Sequence, residues 1–543
     1  MCALRSHWRR LWLKVFASAS PVVTDSGLVE GVEEGGGRVF KGIPFAAPPL
    51  GDLRWRAPAA PASWEGVRAA DAFSPVCMQR GMYPQDAPPE SMNEDCLYLN
   101  IWTPDLNMWT PGGASSSRLP VMVWIPGGGL ENGSASTPLY HGDGLSRRGV
   151  IVVTANYRLG AFGFLAHPAL SEESANAVSG NYGLLDQLAA LGWVKRNISA
   201  FGGDPQNITV FGQSSGAISI SVLTASPLAR GLFRRAIGQS GGLFEPIEAA
   251  PEFNLAGAES AGVAFVERMK AASLAELRAM KAADILAQRF HPQPNIDGYV
   301  LTESPHAAYA NGRMNDVDLL VGSNEHEGLP FLADRRVTAA NLDDELAQDF
   351  PSFIVALLGP KTAADDSEAR AAFIAFESDM RFGWDVWTWA RLHAASAHSS
   401  TYFYRFTHTP PGEAGASHGA EMIYAFDHLD QKPLAWTDVD RRIARTLADY
   451  WTNFAKRGDP NGAGLPQWPE YSLSDERALV IGEEIGAAAI PNASSLRSID
   501  RLYWVVRVLL EYWRCLAGGA ALIVLMLVWR KTRRPSKQSS IAR

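Results

Sequence analysis

Residues Ile208–Ala217 read Ile-Thr-Val-Phe-Gly-Gln-Ser-Ser-Gly-Ala. A β-branched and aromatic run breaks at Gly212, presents Ser214, and resumes as a helix-compatible stretch after Gly216. A serine hydroxyl attacks carbonyls only if it stands clear of its own backbone, and a tight strand-to-helix turn achieves this. Large side chains two positions either side of the serine would collide in such a turn, so the flanking glycines have a steric reason. The helix that follows would aim its unpaired N–H groups and positive dipole end at the serine, favouring negative charge on an attacked carbonyl oxygen. Ser214 is therefore the candidate nucleophile. The same pattern recurs at Gly238-Gln239-Ser240-Gly241-Gly242, but Leu-Phe-Glu-Pro follows there and cannot start a regular helix promptly.

Around this turn, apolar β-rich runs alternate with helical patterns. Strands are expected at Val121–Ile125, Val150–Ala155, Ile208–Phe211, Val317–Val321 and Thr401–Phe406, with helices over Tyr182–Lys195 and Ile443–Arg457. Strands buried on both faces read as continuous apolar runs, so the pattern predicts an α/β fold with a mostly parallel sheet covered by helices. Residues 250–310 and 330–395 read as helical insertions. With 47% hydrophobic and 20% charged residues, the chain has the material for a large core. The expected layout is a leader segment at 1–20, one large α/β unit over 21–495, and a tail over 496–543.

Charge is distributed unevenly. Both ends are basic, which leaves the body strongly acidic even though the whole chain carries only −8. An acidic body repels phosphate backbones, so nucleic acid is not an expected partner. In the tail, Tyr512–Trp529 holds one charge, Arg514, and is followed by Arg530-Lys531-Thr532-Arg533-Arg534. That reads as a short membrane helix with aromatic residues at both interfaces and a cytoplasmic basic end, anchoring an exported body, the alternative being a helix that lies on a surface or docks elsewhere. Arg9-Arg10 with Ala17-Ser18-Ala19 resembles a secretory leader, although Lys14 cuts its apolar region short. Cys77 and Cys96 bracket one loop and could form a bridge or two buried thiols. No cysteine or histidine spacing suggests a metal.

A serine nucleophile needs a base within hydrogen-bond reach and an acid to hold that base in the right tautomer. In an α/β sheet with an elbow serine, the acid and then the histidine come on loops after later strands. The strand at Val317–Val321 opens into Gly322-Ser323-Asn324-Glu325-His326-Glu327-Gly328, offering Glu325 or Glu327. Thr401–Phe406 opens into a long small-residue loop that carries His418, whereas His408 and His428 read as structural. Val121–Ile125 runs into Pro126-Gly127-Gly128-Gly129-Leu130, where absent side chains let backbone N–H groups approach a substrate oxygen.

With these residues in place, the chain resembles the type-B carboxylesterases, the group that includes the cholinesterases. The likeness runs from Gly42-Ile43-Pro44-Phe45 through Glu94-Asp95-Cys96-Leu97-Tyr98-Leu99-Asn100, Asn156-Tyr157-Arg158, Gly180-Asn181-Tyr182-Gly183 and Phe201-Gly202-Gly203-Asp204-Pro205 to Gly458-Asp459-Pro460-Asn461. It implies an α/β-hydrolase fold and a serine ester hydrolase with no cofactor, acting on a small-molecule ester. It selects Ser214, Glu327 and His418 as the triad, and Gly128, Gly129 and Ser215 as oxyanion donors. It further implies a Cys77–Cys96 disulfide, an Arg54–Glu94 salt bridge beside it, and a supporting role for Ser240.

Several positions depart from the family pattern. Gln213 stands where Glu is usual, which removes a negative charge beside the base, Ser215 stands where Ala is usual, and Pro126 and Leu130 flank the glycines where aromatic residues or His are common. No Trp lies between Cys77 and Cys96, so recognition of a quaternary ammonium group on an aromatic face is not expected. An amidase or carbamate hydrolase would share the same machinery. A membrane-anchored binding module on this fold would have lost a triad member, and this chain keeps all three.

Overall fold

Along Val121–Ile125 successive side chains enter two different cores. Val121, Val123 and Ile125 pack into one apolar cluster, and Met122 and Trp124 into another. Ile151, Val153 and Ala155 divide from Val152 in the same way. A strand with period-two geometry and no polar face must lie in the middle of a three-layer sandwich. In the computed structural model, which describes residues 20–80, 91–104, 118–360 and 362–532 with side chains through Tyr512, this is what forms.

Among the described residues, the central sheet has eleven strands: β1 (Val32–Glu34), β2 (Gly37–Pro44), β3 (Tyr98–Pro104), β4 (Leu119–Ile125), β5 (Ile151–Ala155), β6 (Gly203–Gln213), β7 (Arg235–Gln239), β8 (Asp318–Asn324), β9 (Thr401–Phe406), β10 (Arg477–Ile481) and β11 (Ile485–Ala489). Their order is β11-β10-β9-β8-β7-β6-β4-β5-β3-β2-β1. Every pairing from β5 to β10 is parallel, and both flanks are antiparallel. A small three-stranded sheet of Val22–Val23, Leu28–Glu30 and Val67–Ala69 lies apart.

Helices α1 (Tyr182–Asn197), α2 (Ser215–Ala225) and α3 (Trp384–Ser396) cover one face, and α4 (Asp438–Arg457) covers the other. Helix α4 begins five residues before the expected Ile443. Its first turn is polar and was invisible to apolar periodicity, but Thr437 accepts from the Asp440 N–H while Asp440 accepts from the Thr437 N–H, a capping box.

The antiparallel flank β1–β3 lies outside the strands expected from the sequence, which begin at Val121, although β3 is apolar along most of its length like the central strands. The insertions fold largely as helices, among them Leu255–Met269, Ser352–Leu358 and Asp366–Ser378.

The final helix, α5 (Ala493–Thr532), begins against the body. Leu496 and Ile499 are buried, Tyr503 packs edge-on to Trp384 at 4.6 Å, and Asp500 pairs with Arg391 at 3.0 Å. The start of the expected tail is thus docked because its inward face is apolar. Among the described residues, no helix is long and apolar enough to cross a membrane. The side chains of the expected span Tyr512–Trp529 lie outside the described residues after Tyr512, as do the leader residues 1–19.

Arg158, just after β5, meets Asp186 of α1 through Nε at 2.7 Å and Nη2 at 2.7 Å, and its backbone N–H donates to the same carboxylate at 3.0 Å. Both side chains are buried, so removing one partner strands the other's charge. Asp186→Ala is expected to destabilise the protein by about 3–5 kcal/mol. A urea midpoint unchanged from wild type would contradict this.

Candidate active site

Strand β6 delivers Gln213, and α2 begins at Ser215, so Ser214 occupies the turn between them with φ 56° and ψ −127°. A non-glycine residue there carries strain of about 1–3 kcal/mol that the surroundings must enforce. They do so by crowding. A Cβ on Gly216 would stand 2.2 Å from the Ile125 carbonyl oxygen, and one on Gly212 2.8 Å from the same atom. The Ser214 N–H donates to the Gln239 carbonyl at 2.8 Å, fixing the turn to β7.

Glu327 follows β8 and is completely buried. Its Oε1 accepts from Ser240 Oγ at 2.5 Å and from the Asn324 N–H at 2.6 Å, and its Oε2 lies 2.6 Å from His418 Nδ1. Glu325, the other candidate, keeps its side chain 43% exposed beside His326. The loop carrying His418 is tied to the Glu327 loop by the His326 N–H donating to Ala416 O at 2.9 Å and by Asn324 Nδ2 donating to Ser417 O at 2.7 Å. Burial disfavours the imidazolium of His418, but the charge and hydrogen bond of Glu327, with the charge of Glu421, outweigh it and hold its pKa above the ordinary histidine value. Ser240 therefore braces Glu327, and its elbow-like setting, with φ 52°, aims its hydroxyl at that carboxylate.

Gly128, at φ 117°, cannot carry a side chain, since a Cβ there would stand 2.3 Å from Asn132 O. Among the described residues, the N–H groups of Gly128 and Gly129 meet no protein acceptor. The Ser215 N–H belongs to the first turn of α2, where the helix supplies no carbonyl. Ser215 adds a link absent with the usual alanine: its Oγ accepts from the Leu130 N–H at 3.1 Å, joining the glycine loop to the elbow. Tyr157 braces the loop from behind by donating to Pro126 O at 2.8 Å.

The other expected contacts form as well. Cys77 and Cys96 are disulfide-bonded, and Arg54 meets Glu94 at 2.7 Å and 2.5 Å through two nitrogens. His408 pairs with Asp440 at 2.7 Å, and His428 with Asp143 at 3.0 Å.

Three features were not foreseen. Phe382 stacks on His418 with ring centroids 4.4 Å apart. Glu421 is buried near Glu327 and held by Gln239 at 3.0 Å and Asn324 at 2.5 Å, with its pKa raised by burial and by the Glu327 charge. Ser214 Oγ makes no hydrogen bond with His418; instead Gln213 Nε2 lies 3.1 Å from His418 Nε2. No sequence signal marks Phe382, whereas Glu421 stands three residues after His418 in the same loop.

A model of the carboxylesterase family matches residues 18–498. Fumonisin B1 esterase of Sphingopyxis macrogoltabida is 39% identical over 481 residues, covering 86% of this chain and 86% of that protein. Para-nitrobenzyl esterase of Bacillus subtilis (strain 168) is 36% identical over 495 residues, covering 86% of this chain and 95% of that protein. A solved PNB esterase structure aligns with a TM-score of 0.75 at 35% identity, over 88% of this chain and 99% of that one.

Proposed function

The chain belongs to the carboxylesterase family, and on that premise we propose that it hydrolyses carboxylic esters through an acyl-enzyme formed on Ser214. His418 Nε2 takes the hydroxyl proton as Ser214 Oγ bonds to the ester carbonyl carbon. The resulting oxyanion accepts from the N–H groups of Gly128, Gly129 and Ser215. As the tetrahedral intermediate collapses, His418 gives its proton to the departing alkoxy oxygen. Water, deprotonated by the same imidazole, then attacks the acyl carbon, releasing the acid and restoring Ser214. Glu327 stays ionised throughout and orients the imidazole. The observation that carries this reading is the 2.6 Å contact between His418 Nδ1 and a fully buried, doubly braced Glu327.

The relatives' names point to a small-molecule ester as substrate. Residues 21–495 would form the hydrolase, with the docked start of α5 bracing it. Export of this unit is supported by the Cys77–Cys96 bond, since disulfides persist in oxidising compartments. Anchoring by the tail rests on the apolar run Tyr512–Trp529 and the basic residues after it.

A fluorophosphonate probe tests the chemistry directly, because only an activated serine displaces fluoride from phosphorus. One label on Ser214, formed in step with loss of turnover, is the expected result. Folded protein that hydrolyses esters while Ser214 stays unlabelled would refute the assignment.

A further inference from the structure

Gln213 is buried, and its amide is confined between two glycines. A Cβ on Gly127 would stand 3.2 Å from Gln213 Oε1, and one on Gly419 would stand 3.5 Å from Gln213 Nε2. Between them the amide nitrogen faces His418 Nε2 at 3.1 Å. An amide N–H can only donate, so His418 must accept at Nε2 and carry its proton on Nδ1, toward Glu327. Nε2 is also the atom that has to receive the serine proton.

We propose that Gln213 is a positioning residue that holds His418 in its proton-accepting tautomer in the resting enzyme, exchanging its bond for that of Ser214 when the ester enters, and that its neutral amide keeps the base unprotonated to lower pH than a carboxylate there would. This rests on the Ser214–His418–Glu327 reading above.

The physical grounds are two. A hydrogen bond donated to the neutral imidazole disfavours the imidazolium, whereas a carboxylate at the same distance would favour it. The charged groups already facing the ring are Glu327 at 2.6 Å and Glu421, with Phe382 stacked on its face. Both carboxylates push toward the imidazolium, and Gln213 is the neutral contact at the opposite nitrogen.

The test is the pH dependence of kcat/KM for p-nitrophenyl acetate in the full chain, its Gln213→Glu variant and its Gln213→Leu variant. The acid limb of kcat/KM reports the base in the free enzyme. In Gln213→Glu it is expected to rise by about 1–3 pH units, with the alkaline plateau within about tenfold of wild type. In Gln213→Leu, which loses the donor without gaining charge, the limb should fall between the two and the plateau should persist. A limb unmoved in Gln213→Glu, or in Gln213→Leu should the glutamate variant not fold, overturns the proposal. So does a parallel loss of the plateau in both variants with no change in profile shape, the signature of packing alone. If the wild type turns over and only the limb fails to move, the triad reading survives. Absence of any Ser214-dependent turnover in the wild type would overturn both.

Discussion

Replacing Ser214 with alanine is expected to lower kcat about 10⁴- to 10⁶-fold and to leave the protein folded. The two halves of this expectation have separate grounds. The hydroxyl makes no hydrogen bond with His418, and the backbone strain at φ 56° is the same for alanine, so nothing that holds the turn is removed. The turn is held instead by the Gln239 carbonyl and by the glycines that let Ile125 approach. Turnover, by contrast, is expected to lose its nucleophile, since Ser240, in the other elbow-like turn, is already engaged by Glu327 at 2.5 Å. What remains is the contribution of the Gly128, Gly129 and Ser215 N–H groups acting on a water attack. Steady-state turnover of a chromogenic ester, with circular dichroism on the same sample, checks both halves. A folded Ser214→Ala protein that keeps a tenth of wild-type turnover would place the chemistry elsewhere.

How much of this was legible in the sequence depends on whether backbone or side chain carries the feature. The elbow was legible because the close approach of the Ile125 carbonyl to the strand-to-helix turn leaves a mark in residue type, at Gly212 and Gly216. The parallel sheet was legible because β4, β5 and β6 bury both faces and so lose alternation in polarity. The acid was not decided by the residues alone. Glu325 and Glu327 both lie just past β8, and which one turns inward depends on Ser240, donated by another part of the fold, as well as on the nearby Asn324 N–H. The resemblance points to Glu327 on family pattern, and Glu327 is the one that meets His418. The family pattern places Gln213 beside the base, but its direct contact with His418 is a matter of side-chain rotamer between residues 205 apart in the chain, and no local signal encodes that. The docked start of α5 was read as part of the tail because its apolar face, Leu496, Ile499 and Tyr503, is short and Arg497 and Arg501 stand between those residues in the sequence.

Glu327→Gln should lower kcat/KM by about 10⁴-fold through the tautomer of His418, with the fold retained. Ser240 Oγ and the Asn324 N–H both donate to the Oε1 position, at 2.5 Å and 2.6 Å, so a glutamine must place its carbonyl oxygen there. Its amide nitrogen then faces His418 Nδ1 across the present 2.6 Å contact. A donor at that point requires Nδ1 to accept, so the ring proton moves to Nε2, which breaks the contact with the Gln213 amide and blocks transfer from Ser214. Loss of the carboxylate charge acts in addition. Glu327 is what lifts the His418 pKa against burial, so its removal lowers that pKa and moves the acid limb of the residual activity to lower pH. The signature is thus a large fall in plateau rate together with a downward shift of the limb. A merely destabilising substitution would produce the first without the second. Glu325→Gln supplies the control: its side chain is 43% exposed and turned toward His326, so kcat/KM within a few-fold of wild type is expected. A Glu327→Gln enzyme retaining a tenth of wild-type kcat/KM, or a Glu325→Gln enzyme losing more than it, would transfer the orienting role away from Glu327.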